Sequence, residues 1–263
     1  MVLLDSPMNL SLSELQSFLR EALNNPEISV QGDEADKNNF IILWGKMAFA
    51  LMHIDSPIPS ETFDIALRTS FGLQNGEQLV KAHKAHLIIS PINAAGHQLA
   101  AIYNALGVMT LADLIREKIN VLAHFWSASE ILMDADQFKQ ALAGAESAFS
   151  KYRRKEANAW YDLPVQRWVG MRMISPDRQT QFGARTQGLA ALTGFEIQID
   201  PFPSSPQEVA KHLYGMASYA LNHGPVFKDG DTIGISAEQQ FRISRRADNT
   251  PVLWVMVIES TCH

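Results

Sequence analysis

A chain of 263 residues with 46% hydrophobic and 19% charged side chains has the make-up of a globular protein, long enough for one large domain or two small ones. Its single cysteine, Cys262, excludes an intrachain disulfide framework and any metal site built from several thiolates. The net charge of −6 falls entirely in the first half, because residues 1–130 carry 14 acidic against 8 basic side chains while residues 131–263 carry 14 of each. That distribution argues against general nucleic-acid binding and reads first as solubility, with a surface for a basic partner as the alternative.

The opening MVLLDSPMNLSLSEL lacks the basic and sustained apolar regions of a secretion signal. No apolar run is expected to reach the roughly 18 residues that a membrane-spanning helix needs. The chain is therefore expected to be cytoplasmic, with no membrane association. Residues 11–23 predict a helix, opened by Ser11 and Glu14 in a capping-box pattern, with Leu12, Leu15, Phe18, Leu19 and Leu23 on one face. A short strand over Glu27 to Val30 precedes the polar, acidic loop QGDEADKNN.

Phe40 to Ile54 is apolar on both alternating faces, with Gly45-Lys46 near its middle. It predicts a β-hairpin in a well-covered sheet, with a single buried helix as the alternative, because a tight turn needs glycine and a helix interior disfavours it. Pro57 and Pro59 end the second strand, and Ser60 is placed to cap a helix over Glu61 to Thr69. A strand over His86 to Ile92, a long amphipathic helix from His97 to Ile119 tightened near Gly107, a strand over Val121 to Trp126 and a helix over Asp136 to Lys155 complete this half. The KYRRK run at 151–155 reads as a solvated helix end that complements the dipole.

Strand-period alternation marks Arg167 to Ile174, Phe182 to Leu192 and Phe195 to Asp200. In the last of these, Phe195, Ile197 and Ile199 face opposite to Glu196, Gln198 and Asp200. Ser205 caps a helix with Pro206 at its first position, closed by Gly224-Pro225. Short strands at Thr232 to Ser236 and Phe241 to Arg245 lead to Val252–Ile258, apolar on both faces and expected in a sheet interior. Ile54 to Ser60 and Ile199 to Ser204 each follow a hairpin and precede a helix, which suits two related halves. The reading is an α+β fold: mixed, largely antiparallel sheets covered by helices, with an acidic half at 1–155 and a second half at 164–263.

The ordered series Gly188-Leu189-Ala190-Ala191-Leu192, Phe195-Glu196-Ile197, Leu213-Tyr214-Gly215, Gly224-Pro225-Val226 and Lys228 to Gly234 resembles a bacterial family known as domain of unknown function 4261. The likeness is strongest over residues 164–245, and His83 to Ile88 and Phe125 to Ala128 match more loosely. It implies a bacterial, cytosolic α/β protein and brings no catalytic residue, substrate or cofactor. The same residues have folding roles: Asp229-Gly230 is a tight-turn signal, and Gly215 would let a neighbouring element approach its helix closely.

No nucleophile elbow, phosphate-binding loop or H-E-x-x-H pattern occurs in the sequence. His83 and His86 lack the shared face that a zinc or general-base site needs, and with His53 they read as structural or surface histidines. No metal site or cofactor is expected. Arg172 and Arg185, on adjacent predicted strands beside Arg167, and with Arg242, Arg245 and Arg246 farther on, are the candidate anion site. Its alternative is a solvated face balanced by Glu196 and Asp200. The leading expectation is a non-catalytic protein-binding factor, of immunity or adaptor type, that neutralises a basic toxin or effector through Asp33, Glu34 and Asp36. Its rivals are an enzyme or small-anion sensor using the arginines, and a structural homodimer subunit.

Overall fold

A computed structural model describes the chain except residues 34–37, 94, 177–179, 235–239, 246–251 and 259–263. The chain forms two compact units, Met1–Glu146 and Ser147–His263.

The first unit is built on strands β1 (Val2–Leu4), β2 (Ser29–Gln31), β3 (Asn39–Trp44), β4 (Met47–Ile54), β5 (Ala85–Pro91), β6 (Val121–Trp126) and β7 (Ile131–Met133). They form one seven-stranded sheet in the order β2-β3-β4-β5-β1-β6-β7, every neighbour antiparallel. Helix α1 (Leu12–Ala22) carries the expected capping box and buries Leu15 and Leu19. The β3–β4 hairpin turns at Gly45, whose φ of +58° is the left-handed conformation that glycine adopts freely.

Differences from the sequence reading have local causes. The helix expected over Glu61 to Thr69 is a 3-10 turn, Ser60–Phe63, followed by α2 (Asp64–Thr69), and α3 (Gly76–Ala82) adds a helix the sequence did not announce. The hairpin is covered on one face only. Phe49, Leu51 and His53 are buried, whereas Ile41, Met52 and Ile54 stand exposed. Helix α4 (Gln98–Ile115) is continuous and apolar around much of its circumference, so it is not the amphipathic helix expected. A Cβ on its Gly107 would lie 2.4 Å from Cζ of Phe49; the glycine lets helix and strand touch. In length and composition this helix alone among the described residues would suffice to cross a membrane, and 44% of it is buried inside the protein.

On one side of the sheet, Leu3, Ala123, Phe125 and Leu132 pack with Ile58, Phe63, Ala66 and Val80. On the other, α5 (Ala135–Arg153) lays Phe138 flat on His124, ring centres 3.5 Å apart.

The second unit contains α6 (Val165–Trp168), β8 (Gly170–Ile174), β9 (Gln181–Gln187), α7 (Ala190–Thr193), β10 (Glu196–Pro203), α8 (Pro206–His223), β11 (Thr232–Gly234), β12 (Gln240–Arg245) and β13 (Val252–Ile258). Its six-stranded sheet runs β11-β12-β13-β10-β9-β8. The doubly apolar β13 is interior, parallel to β10 and antiparallel to β12; Val252, Leu253 and Val255 are buried, whereas Met256 stands exposed. The hairpin–proline–helix order expected in each half recurs, with β3–β4 leading to α2 and β9–β10 to α8. Arg167 belongs to α6, not to a strand, and the segment expected as a strand to Leu192 ends at Gln187 and turns into α7.

Candidate functional site

Helix α8 begins with a complete capping box: Ser205 Oγ accepts from the Glu208 N–H, and the Glu208 carboxylate accepts from the Ser205 N–H. It ends at Gly224, with φ of +79°. Along it, the helical period separates two rows. Lys211, Gly215 and Tyr219 form an exposed row, and His212 and Met216 a buried one.

Facing the helix, Ile233 of β11 and Phe241 of β12 are cross-strand partners on one side of the sheet. At the far end of α8 the chain brings up Val226 and Phe227, and the Phe227 ring stacks on Tyr219 at 5.6 Å and meets Phe195 edge-on at 6.4 Å. These elements enclose a groove of about 650 Å³ lined by Lys211, His212, Gly215, Met216, Tyr219, Val226, Phe227, Asp231, Thr232, Ile233, Gly234 and Phe241. That volume is the size of a small-molecule site.

The turn into β11 is firmly held. The Gly230 N–H donates to the Ile243 carbonyl at 2.9 Å, the Ile243 N–H to the Asp231 carbonyl at 2.8 Å, and the Lys228 N–H to Asp231 Oδ2 at 2.7 Å. Gly230 itself has φ of +85°, as the tight-turn signal requires. Gly215 is different. A Cβ there would meet nothing within 4 Å, so its role is not the close helix approach expected from sequence; the glycine borders the open groove.

His212 is the groove's singular group. It is buried, packs against Phe241 with ring centres 5.0 Å apart, and its Nδ1 is sealed from solvent with no hydrogen-bond partner. Burial pushes its pKa below the usual imidazole value; Glu208 opposes that shift and Lys211 adds to it. The histidines singled out from sequence behave otherwise. His83 Nε2 accepts from the Ile58 N–H at 2.8 Å while its Nδ1–H donates to the Val80 carbonyl. His53 Nε2 accepts from the Met8 N–H at 3.1 Å and its Nδ1–H donates to Asn38 Oδ1. His86 Nδ1 pairs with the Ser56 carbonyl at 2.8 Å. These are backbone clamps. Among the described residues no cluster of three or more His, Cys, Asp or Glu side chains is arranged to hold a metal ion.

Arg172 and Arg185 are brought together: they are directly opposed on β8 and β9, in a row continued by Gln198 of β10 and Trp254 of β13. They share the sheet side opposite to Ile233 and Phe241, so neither lines the groove. Arg172 Nε donates to Gln187 Oε1 at 2.5 Å, and partial burial lowers its pKa. Arg242 lies on the same side as this pair, while Arg246 is outside the described residues. Glu196 is committed elsewhere: Oε1 accepts from the Gly188 and Ala190 N–H groups and Oε2 from the Thr186 hydroxyl. Of the acidic set, Asp33 is exposed, and Glu34 and Asp36 lie outside the described residues.

The groove escaped the sequence reading because α8, Phe227 and the β11–β12 pair meet only in three dimensions. Its one local signal was Gly215, a helix-interior glycine costing about 1 kcal/mol relative to alanine.

The family model for a domain of unknown function (DUF4261) matches residues 185–259, a stretch that includes the groove, and agrees with the resemblance seen in the sequence. No curated protein matches the chain. A solved structure described as a suppressor-of-fused (SUFU) homologue from Neisseria gonorrhoeae FA 1090 is similar at 21% identity, with a TM-score of 0.29, over 35% of this chain. The similar region spans 60% of that protein's chain.

Proposed function

We propose that this protein acts by binding and not by catalysis, as a bacterial cytoplasmic factor whose C-terminal unit holds a ligand in the groove beside α8. The groove is the observation that carries the reading: a cavity of about 650 Å³ with aromatic and aliphatic walls and few polar groups, the general form of a ligand site. Two of its polar groups support recognition over catalysis. His212 lacks the carboxylate or carbonyl at Nδ1 that would orient it as a general base, and Asp231 is tied to the Lys228 N–H. The cytoplasmic assignment is supported by a single cysteine in 263 residues.

Native mass spectrometry of the protein isolated from its own cells tests this reading. A species retained by the parent and absent from Gly215→Leu supports it. Conversion of a retained species to a product would overturn the non-catalytic assignment.

A second reading, docking of a basic protein by the acidic N-terminal half in the manner of an adaptor or immunity factor, is favoured by the exposed sheet face at Ile41, Met52 and Ile54 and by exposed Asp33. Exposed apolar side chains grouped on one sheet face are a common mark of protein contact. The Asp33, Glu34 and Asp36 carboxylates would then raise the association rate, in a salt-dependent way, without contributing to the core.

A further inference from the structure

The two ends of the groove differ in chemistry. Lys211 and His212 lie at one end of the α8 wall, and Tyr219, Val226 and Phe227 at the other. Lys211 is exposed and has no ion-pair partner among the described residues. His212 presents an imidazole whose Nδ1 is buried and unpartnered. Between these ends the walls are Met216, Ile233 and Phe241, and the open space at Gly215 forms the mouth. From Lys211 to Tyr219 the helix rises about 12 Å at roughly 1.5 Å per residue.

Two carboxylates of this unit, Glu208 and Asp231, accept hydrogen bonds from within the fold. The Glu208 carboxylate is held in the Ser205 cap at 2.9 and 3.0 Å, and Asp231 Oδ2 is held by the Lys228 N–H. Among the described residues, Lys211 is a cation without an ion-pair partner.

From this arrangement, and resting on the reading of the groove as a ligand site, we propose that it binds a small amphipathic anion: an acyl or aryl carboxylate with an apolar body about 12 Å long. The body lies along Met216, Ile233 and Phe241 toward the Tyr219–Phe227 stack. The head group accepts from the Lys211 ammonium and from the Nε2–H of His212, the ring nitrogen that is not sealed, while Nδ1 stays behind it in the fold. A charge-assisted hydrogen bond in a site walled by aromatic rings is stronger than one in water. A cationic head group of the same length meets Lys211 as a like charge and is rejected. Arg172 and Arg185, on the other side of the sheet, take no part.

The test uses the full chain with 1-anilinonaphthalene-8-sulfonate as fluorescent reporter, displaced by decanoate, decanol or decylamine. Decanoate is expected to displace the reporter about tenfold more effectively than decylamine, the equivalent of a single charge-assisted contact, with decanol between. Lys211→Glu, at an exposed site, should reverse the order of decanoate and decylamine. His212→Phe should weaken decanoate while sparing decanol, and Gly215→Leu should abolish the displaceable signal.

Equal or better displacement by decylamine, or an unchanged preference in Lys211→Glu, would overturn the anion assignment and leave the groove a ligand site of other chemistry. A displaceable signal that persists undiminished in Gly215→Leu would remove the groove itself, and the ligand reading of this unit with it. Should His212→Phe fail to fold, the Lys211→Glu comparison still decides the assignment.

Discussion

The buried histidines of the two units differ in what surrounds them. In the N-terminal unit His53 and His83 use both ring nitrogens on neighbouring groups of the fold, and His124, whose two nitrogens find no partner, is closed in by the Phe138 ring at 3.5 Å. In the C-terminal unit His212 also lacks a partner at Nδ1, but it lines a cavity. An unpaired buried imidazole carries a desolvation cost in either place. It bears on function only where space adjoins it that a ligand can fill.

The largest expected effect concerns His124. Burial, reinforced by the N-terminal amine and Arg116, lowers its pKa from 6.5 to about 3. The unfolded chain therefore binds a proton as pH falls below 6.5 while the folded chain does not. Stability contributed by the neutral ring is complete above that value and falls by about 1.4 kcal/mol per pH unit down toward the folded pKa. Urea denaturation at pH 7, 6, 5 and 4 should show His124→Phe losing less stability with acid than the parent, the two curves diverging below pH 6.5. Parallel curves would mean that His124 is not sealed, and the contrast with His212 would fail.

The next is a direct exchange between units. His83→Ala strands the Ile58 N–H and the Val80 carbonyl inside the core, at a cost of about 2–4 kcal/mol from lost packing and unmet hydrogen bonds. His212→Phe removes a nitrogen that has no partner and keeps a ring against Phe241, so denaturation should register a change below about 1 kcal/mol. Similar losses in the two variants would show that His212 is a structural clamp like His83.

A smaller loss is expected at the turn that frames the groove. Gly230 has φ of +85°, and a Cβ there would touch nothing within 4 Å, so Gly230→Val isolates backbone strain. A thermal melt should show a loss of about 1–3 kcal/mol. An unchanged melt would mean that the turn relaxes freely and the β11 wall is not fixed.

Features of the sequence that act locally were readable, and those that act across the chain were not. Ser11–Glu14 and Ser205–Glu208 announce helix starts because a cap is satisfied within four residues. Gly45 and Gly230 announce turns, and the two-sided apolar run at Val252–Ile258 announces an interior strand. By contrast β1, at Val2–Leu4, and β7, at Ile131–Met133, are three residues each. They are strands because a partner pairs with them, and no periodicity can be read from three positions. The strand expected to end at Asp200 continues to Pro203 through a register shift after Ile199, a bulge that accommodates the missing N–H of Pro201. Arg172 and Arg185 were correctly set on adjacent strands, but their separation from the groove depended on which face each strand turned inward.

The smallest effect separates two helix glycines whose sequence contexts look alike. Gly107 in α4 meets the Phe49 ring, and a Cβ there would collide at 2.4 Å with a side chain that is itself fully buried. Alanine at 107 must displace that ring and destabilise the N-terminal unit. Gly215 in α8 faces open space, so alanine there adds only its better helix propensity, and Gly215→Ala should raise stability by about 0.5–1 kcal/mol. The pair is measured by chemical denaturation of both variants against the parent. Opposite signs support the distinction between a glycine that admits a neighbour and one that leaves room beside a groove. A loss in Gly215→Ala would mean that the space is closed in solution, and the argument for a ligand at His212 would lose its cavity.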